Sequence, residues 1–151
     1  MNIIIQNIND KDIEKIVELT NNAYAVAHKQ GFLITRANDT NEKIIKELQN
    51  GAKIFTAKIK EKIAGAVRYE IKNDVVRLYK LAVMPEYRKQ SIGSLLTQKV
   101  FDVAKKLGLN KVKIEVHEGK GLILYYEKFG FKIKKRYRHK NHYEIIMEKD
   151  L

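Results

Sequence analysis

The sequence predicts a mixed α/β fold, one sheet of about seven strands with helices on both faces. Three observations predict it. Segments with alternating or continuous apolar character interleave with segments whose apolar residues recur at helical spacing, in the order β-α-α-β-β-β-α-β-α-β-β. Three successive strand-like runs are joined by tight-turn signals, as an antiparallel meander requires. The last of the three is followed by a long helix and another strand, a unit that makes a parallel pair with a right-handed crossover.

Residues Ile3 to Ile8 read as the first strand. Asp10 then caps a helix whose apolar positions Ile13, Ile16, Val17, Leu19 and Tyr24 share one stripe, fading between His28 and Gly31. Phe32 to Thr40 has no periodicity and reads as a loop. A short helix spans Asn41 to Gln49, with Ile44, Ile45 and Leu48 inward and Gly51 as its stop. Lys53 to Lys60 and Ile63 to Ile71 flank the turn Lys60-Glu61-Lys62, and Asn73-Asp74 turns the chain into Val75 to Met84. Pro85 ends that strand because it has no N–H for the ladder. Ile92 to Leu107 is a helix with Leu95, Leu96, Val100, Val103, Ala104 and Leu107 on one face and Gly108 closing it. Lys111 to His117 alternates as a strand, and Gly121 to Phe129 reads as a helix stopped by Gly130. Two basic-flanked strands, Phe131 to Tyr137 and Tyr143 to Glu148, finish the chain.

The 151 residues make one domain, long enough to bury a core without staples. No apolar run approaches the ~20 residues that span a bilayer, and the opening Met1-Asn2-Ile3-Ile4-Ile5-Gln6 is too short and lacks a basic start for a signal peptide. A cytoplasmic protein is expected. With no cysteine, disulfides and thiolate chemistry are excluded, and the 4 histidines show no ligand spacing, so no metal site is expected. The net charge of +12 attracts polyanions. Without an aromatic-plus-basic module, nucleic acid is not an expected partner, and the scattered lysines read as solvated surface.

Chemistry concentrates in Leu81-Ala82-Val83-Met84-Pro85-Glu86-Tyr87-Arg88-Lys89-Gln90-Ser91-Ile92-Gly93-Ser94-Leu95-Leu96. A strand stops at proline, a basic loop follows, and a helix begins at once. Several backbone N–H groups at such a helix start have no partner and point the same way, with Arg88 and Lys89 beside them. That is a seat for a phosphate-bearing cofactor.

The segment resembles the coenzyme A signature of the GNAT N-acetyltransferase superfamily, whose loop follows the pattern Arg/Gln-x-x-Gly-x-Gly/Ala; Arg88, Ser91 and Gly93 match it. The resemblance covers most of the chain and is strong from Leu78 to Phe131. It implies a mostly antiparallel GNAT-like sheet whose one parallel pair splays apart to hold acetyl-CoA. The pantetheine arm would lie against Leu81, Ala82 and Val83 like an added strand, and the pyrophosphate against Lys89, Gln90, Ser91, Ile92, Gly93 and Ser94. Gly93 suits a close backbone approach. Ser91 departs from the usual glycine: it either crowds the phosphate or caps the helix and offers its hydroxyl.

The segment Leu124-Tyr125-Tyr126-Glu127-Lys128-Phe129-Gly130-Phe131 resembles the family's Tyr-Glu-Lys-Leu-Gly-Phe block, which implies Tyr126 as general acid to the departing thiolate. Tyr125 stands where the block is apolar and is read as packing. Ile114-Glu115-Val116-His117 resembles the family's Leu-Glu-Val-Arg strand, which implies Glu115 as general base, acting directly or through water; an outward surface glutamate is the competing reading. The acid that other members carry early in the fourth strand is replaced here by the neighbourhood of Arg77. The asparagine expected after the following strand is replaced by Glu118-Gly119-Lys120-Gly121. His117 is a lesser proton-relay candidate.

The expected activity is therefore transfer of an acetyl group from acetyl-CoA to a primary amine in a ternary complex. The amine is not specified by these segments, and the exposed end strands allow a homodimer. Two other classes compete: a non-catalytic acyl-CoA-binding domain of the same fold, and a basic nucleic-acid module. The basic run Lys132, Lys134, Lys135, Arg136, Arg138 and Lys140 reads as an edge guarded against sheet pairing.

Overall fold

The computed structural model describes residues 2–29, 39–118, 121–139 and 142–151. The chain runs through β1 (Ile4–Asn7), α1 (Ile13–Lys29), α2 (Asn41–Gln49), β2 (Lys53–Ile59), β3 (Lys62–Lys72), β4 (Val75–Val83), α3 (Ile92–Lys106), β5 (Lys111–His117), α4 (Leu122–Glu127), β6 (Lys132–His139) and β7 (His142–Asp150). The seven strands lie side by side in the order β1-β2-β3-β4-β5-β7-β6. All neighbours are antiparallel except β4 and β5, the expected mixed sheet with its single parallel pair.

The meander β2-β3-β4 turns where the sequence signals it. Lys60 and Glu61 have φ of 50° and 68°, and Asn73 and Asp74 have 52° and 62°. Positive φ at both central residues gives these two-residue turns the twist that the flanking strands need. Thr40 caps α2 by accepting a hydrogen bond from the Lys43 N–H at 3.1 Å, and Gly51, at φ 100°, follows the helix end. The start of α1 differs from expectation. Asn9, not Asp10, precedes the helical segment, which opens with a 3-10 turn over Asp10–Asp12 before α1 begins at Ile13. The Asp12 carboxylate is needed elsewhere: it accepts from the Asn9 N–H at 3.4 Å and pairs with the buried Lys58 at 3.0 Å. Most of the loop expected over Phe32 to Thr40 lies outside the described residues, as do Gly119, Lys120 and Lys140, and the side chain of Tyr24.

Helices cover both faces. On one, α3 and α4 pack over Phe55, Val67, Leu78, Val112, Ile114 and Met147. On the other, Ile16 and Leu19 of α1 and Ile44 of α2 meet Ile54 and Ala66. Leu96 and Val100 have no exposed surface, and burial of each contributes about 1.5–3 kcal/mol. Three expected inward residues are corrected: Ile45 is 42 % exposed, Leu95 42 % and Leu107 58 %. Each sits at the margin of its stripe, one residue from a fully buried neighbour or past the helix end, where the helical rotation carries it toward water.

The start of α3 is held very close to the sheet. A Cβ on Gly65 would lie 3.0 Å from the Ala82 carbonyl oxygen, 3.0 Å from Ile92 Cγ2 and 3.3 Å from Leu96 Cδ1. Nothing larger than glycine fits there without moving the helix or β4. Gly65→Ala is therefore expected to cost about 1–3 kcal/mol in urea unfolding, the usual penalty of overpacking; unchanged stability would show that α3 has room to move.

Candidate active site

β4 and β5 share two register pairs, Val76↔Val112 and Arg77↔Lys113. Past them β4 continues to Val83 and β5 to His117 without pairing each other, so the sheet opens midway. β4 also carries a bulge. Ala66 opposes Ala82 and Arg68 opposes Tyr79, leaving Lys80 and Leu81 together opposite Val67. Lys80 absorbs the extra residue in the left-handed region, at φ 49°, a conformation uncommon outside glycine. Bulges bend a strand and re-aim the residues after it. Here those residues are Leu81, Ala82 and Val83.

A cleft of about 470 Å³ fills the opening. It is lined by Leu81, Ala82, Val83, Arg88, Lys89, Ser91, Ile92, Gly93 and Ser94 from the β4–α3 segment, by Leu122, Tyr125 and Tyr126 from α4, and by Ala23 and Tyr87. The structure thus brings together every predicted cofactor residue except Gln90, whose side-chain oxygen is buried without a hydrogen-bond partner among the described residues. Pro85 opens a 3-10 turn to Tyr87 as β4 ends, and Lys89 and Ser91 then take φ of 66° and 65°. Such turns gather successive N–H groups on one side, where they meet the free N–H groups of the first turn of α3. Arg88 and Lys89 are exposed beside them, and the Arg88 Nε–H reaches back to the Val83 carbonyl at 3.4 Å. This donor set fits a diphosphate.

Two sequence expectations are revised. Ser91 occupies the helix-cap position but makes no side-chain cap bond; its backbone is left-handed, which explains why glycine suits this position. Gly93 lacks a Cβ for a side-chain neighbour: a Cβ there would lie 2.7 Å from the Tyr125 hydroxyl oxygen. Tyr125, read as packing, therefore presents its hydroxyl to the start of α3 inside the cleft.

Tyr126 lies beside it, with ring centroids 5.1 Å apart, and stands edge-on to Phe131 at 5.7 Å. Burial, then the neighbouring Tyr125, raises the Tyr126 pKa above the ordinary phenol value, so the hydroxyl keeps its proton at neutral pH. Glu115 is elsewhere. Its neighbours Ile114 and Val116 are buried under α3, so Glu115 projects from the opposite face, exposed, and accepts a hydrogen bond from the Tyr137 hydroxyl. His117, on that same face, lies 3.2 Å from Glu144. No carboxylate lines the cleft among the described residues.

Sequence reading missed a buried ionic group behind the bulge. Arg68, 1 % exposed, donates to Asp39, to Glu47 at 3.0 Å and to Thr20 at 3.2 Å. An arginine directly after the apolar run Ile63–Val67, inside strand β3, was its one signal. Lys80 lies 3.7 Å from Asp39, and desolvation followed by the Arg68 charge lowers its pKa. Among the described residues no cluster of three or more His, Asp or Glu could hold a metal, and no helix is long and apolar enough to cross a membrane.

Comparison with known proteins agrees with this geometry. The profile of the acetyltransferase (GNAT) family matches residues 13–131. An uncharacterized N-acetyltransferase of Methanocaldococcus jannaschii is 27% identical over 139 residues, 86% of this chain, and the chain spans 61% of that relative's length. The PaiA N-acetyltransferase of Thermoplasma acidophilum, solved in complex with coenzyme A, superposes with a TM-score of 0.85 at 21% identity over 100% of both chains. The ribosomal-protein-S18-alanine N-acetyltransferase of Escherichia coli gives 0.78 at 18% identity, over 99% of this chain and 94% of that one. Their likeness is one of fold, whereas the profile spans most of the sequence. The chain belongs to the GNAT acetyltransferase family, whose acyl donor is acetyl-CoA.

Proposed function

We propose that this chain is an N-acetyltransferase that passes an acetyl group from acetyl-CoA directly to a primary amine. The observation that carries the reading is a single cleft in which the α3 start, the unpaired end of β4 and Tyr126 face one another. Acetyl-CoA supplies an activated thioester when bound. The N–H groups of Lys89 to Ser94 and the positive end of α3 hold its diphosphate, while Arg88 and Lys89 add charge. The freed backbone of Leu81 to Val83 bonds the pantetheine arm and donates to the acyl oxygen as charge develops there. Tyr126 gives its phenolic proton to the departing sulfur. Water takes the amine's proton, since Glu115 lies outside the cleft on the opposite face; the attacking nitrogen thus loses one proton as the sulfur gains one.

The absence of a carboxylate from the cleft lining, among the described residues, favours as a second reading an acyl-CoA-binding domain without turnover. Free-thiol release with acetyl-CoA and a panel of peptide and small-molecule amines separates the two. Release with at least one amine supports the enzyme; tight acetyl-CoA binding with no release from any supports the binding domain.

Tyr126→Phe is expected to lower kcat by about 10²-fold or more while acetyl-CoA affinity is kept, the usual scale for a lost general acid. The raised pKa carries a sign. A donor phenol works while protonated, so kcat should show no alkaline fall up to about pH 10; a descending limb below that, absent in Tyr126→Phe, would show that burial does not raise this phenol, whereas an unchanged kcat in Tyr126→Phe would contradict the assignment. Gly93→Ala should weaken acetyl-CoA binding about tenfold in calorimetry, because the new methyl meets the Tyr125 hydroxyl. Adding Tyr125→Phe should recover part of that loss, and no loss at Gly93 would show that the α3 start does not touch the cofactor.

A further inference from the structure

We propose that Arg68 is a positioning residue for acyl transfer: through Glu47 and Asp39 it holds the β4 bulge that turns Leu81 to Val83 toward the cleft. This rests on the function proposed above.

Arg68 stands on β3 directly opposite Tyr79, the residue before the bulge. One side of its guanidinium donates to Glu47 at 3.0 Å and to Asp39 Oδ1 at 3.4 Å. The other donates to Asp39 Oδ2 and to Thr20 at 3.2 Å. Each carboxylate then holds one of two consecutive residues of β4. The Tyr79 hydroxyl donates to Glu47 at 2.6 Å, and the Lys80 ammonium lies 3.7 Å from Asp39. The far side of the cage is fixed as well. The Asn21 side chain accepts from the Asp39 N–H at 2.7 Å and donates to the Asp39 carbonyl at 3.2 Å, while Arg77 stacks over the Tyr79 ring at 4.4 Å and pairs with Glu70 at 3.1 Å.

Two costs sit at this one place. A buried ion group often contributes no more stability than apolar packing of equal volume. A left-handed lysine is strained and persists only where its surroundings over-determine it. The cage explains the second: it grips the side chains on both positions where β4 departs from regular pairing. Without Arg68, Glu47 and Asp39 repel each other, Lys80 relaxes toward extended backbone, and the N–H groups after it turn away from the cleft.

The test is a rescue. Acetyl-CoA affinity by calorimetry and amide hydrogen exchange over residues 79–83 are measured in the full chain for wild type, Arg68→Met and Arg68→Met/Lys80→Gly. Arg68→Met should bind acetyl-CoA about tenfold more weakly and exchange faster over that segment, in keeping with a strained residue released. Glycine adopts the left-handed conformation without a side-chain anchor, so Lys80→Gly should restore affinity and protection in the Arg68→Met background even where the melting temperature stays low. A purely structural Arg68 would show lower stability with affinity unchanged, or a loss of affinity that glycine does not repair; either result overturns the proposal. Should Arg68→Met fail to fold, Glu47→Gln, which keeps the Arg68–Asp39 pair, is read by the same criteria with and without Lys80→Gly. A wild-type chain that binds no acetyl-CoA would instead overturn the function on which the proposal stands.

Discussion

The parting of β4 from β5 is the constraint on which everything else depends. Parallel neighbours normally pair along their length, and unpaired backbone groups inside a protein are costly. Here the pair closes at Val76↔Val112 and Arg77↔Lys113 and then opens. The backbone from Leu81 to Val83 is left facing a cleft instead of a strand. A ligand that offers amide donors and acceptors in extended form would replace the missing strand, the role we propose for the pantetheine arm of acetyl-CoA. The helix that crosses over the opening starts at its edge, so the same geometry that frees the strand also delivers the anion seat.

Around that opening the molecule accepts several local strains. Lys80, Lys89 and Ser91 all have left-handed backbones, and each sits at the end of β4 or on the way into α3. Gly65 lets α3 lie against β3 and β4 with no room for a methyl group. A buried arginine spans α1, α2 and β3 behind the bulge. Apolar clusters on both faces supply the stability that offsets these costs, and outside the two hairpin turns the left-handed non-glycine residues among those described gather at this one site, as they do where geometry serves binding.

Much of this was legible in the residues because the signals are local. Pro85 stops β4, and Gly93 with the apolar stripe of α3 places the helix start at Ile92. The bounds of α2 and β5 follow from an apolar stripe, a glycine stop and strict alternation. The basic loop and Tyr126 are read from sequence and meet in one cleft. What escaped reading was set by distant partners. No residue near Lys80 announces a left-handed backbone, and its hold comes from Asp39, Glu47 and Arg68, far away in the chain. Alternation told that Glu115 and Ile114 face opposite ways, but which face α3 covers is a tertiary matter, and it leaves Glu115 outside the cleft. Tyr125 looked like packing because sequence spacing does not show that its hydroxyl stands where a Cβ on Gly93 would be.

The central claim is that one cleft, bounded by the freed end of β4, the start of α3 and Tyr126, takes the acyl donor. A titration of the isotope-labelled chain with acetyl-CoA, followed by amide chemical shifts, tests it most directly. The largest changes should fall on Leu81 to Val83, on Lys89 to Ser94 and on Tyr126, with β1 and the β2–β3 turn unmoved. Shifts gathered instead on the basic strand β6, or scattered over the surface lysines, would contradict the account.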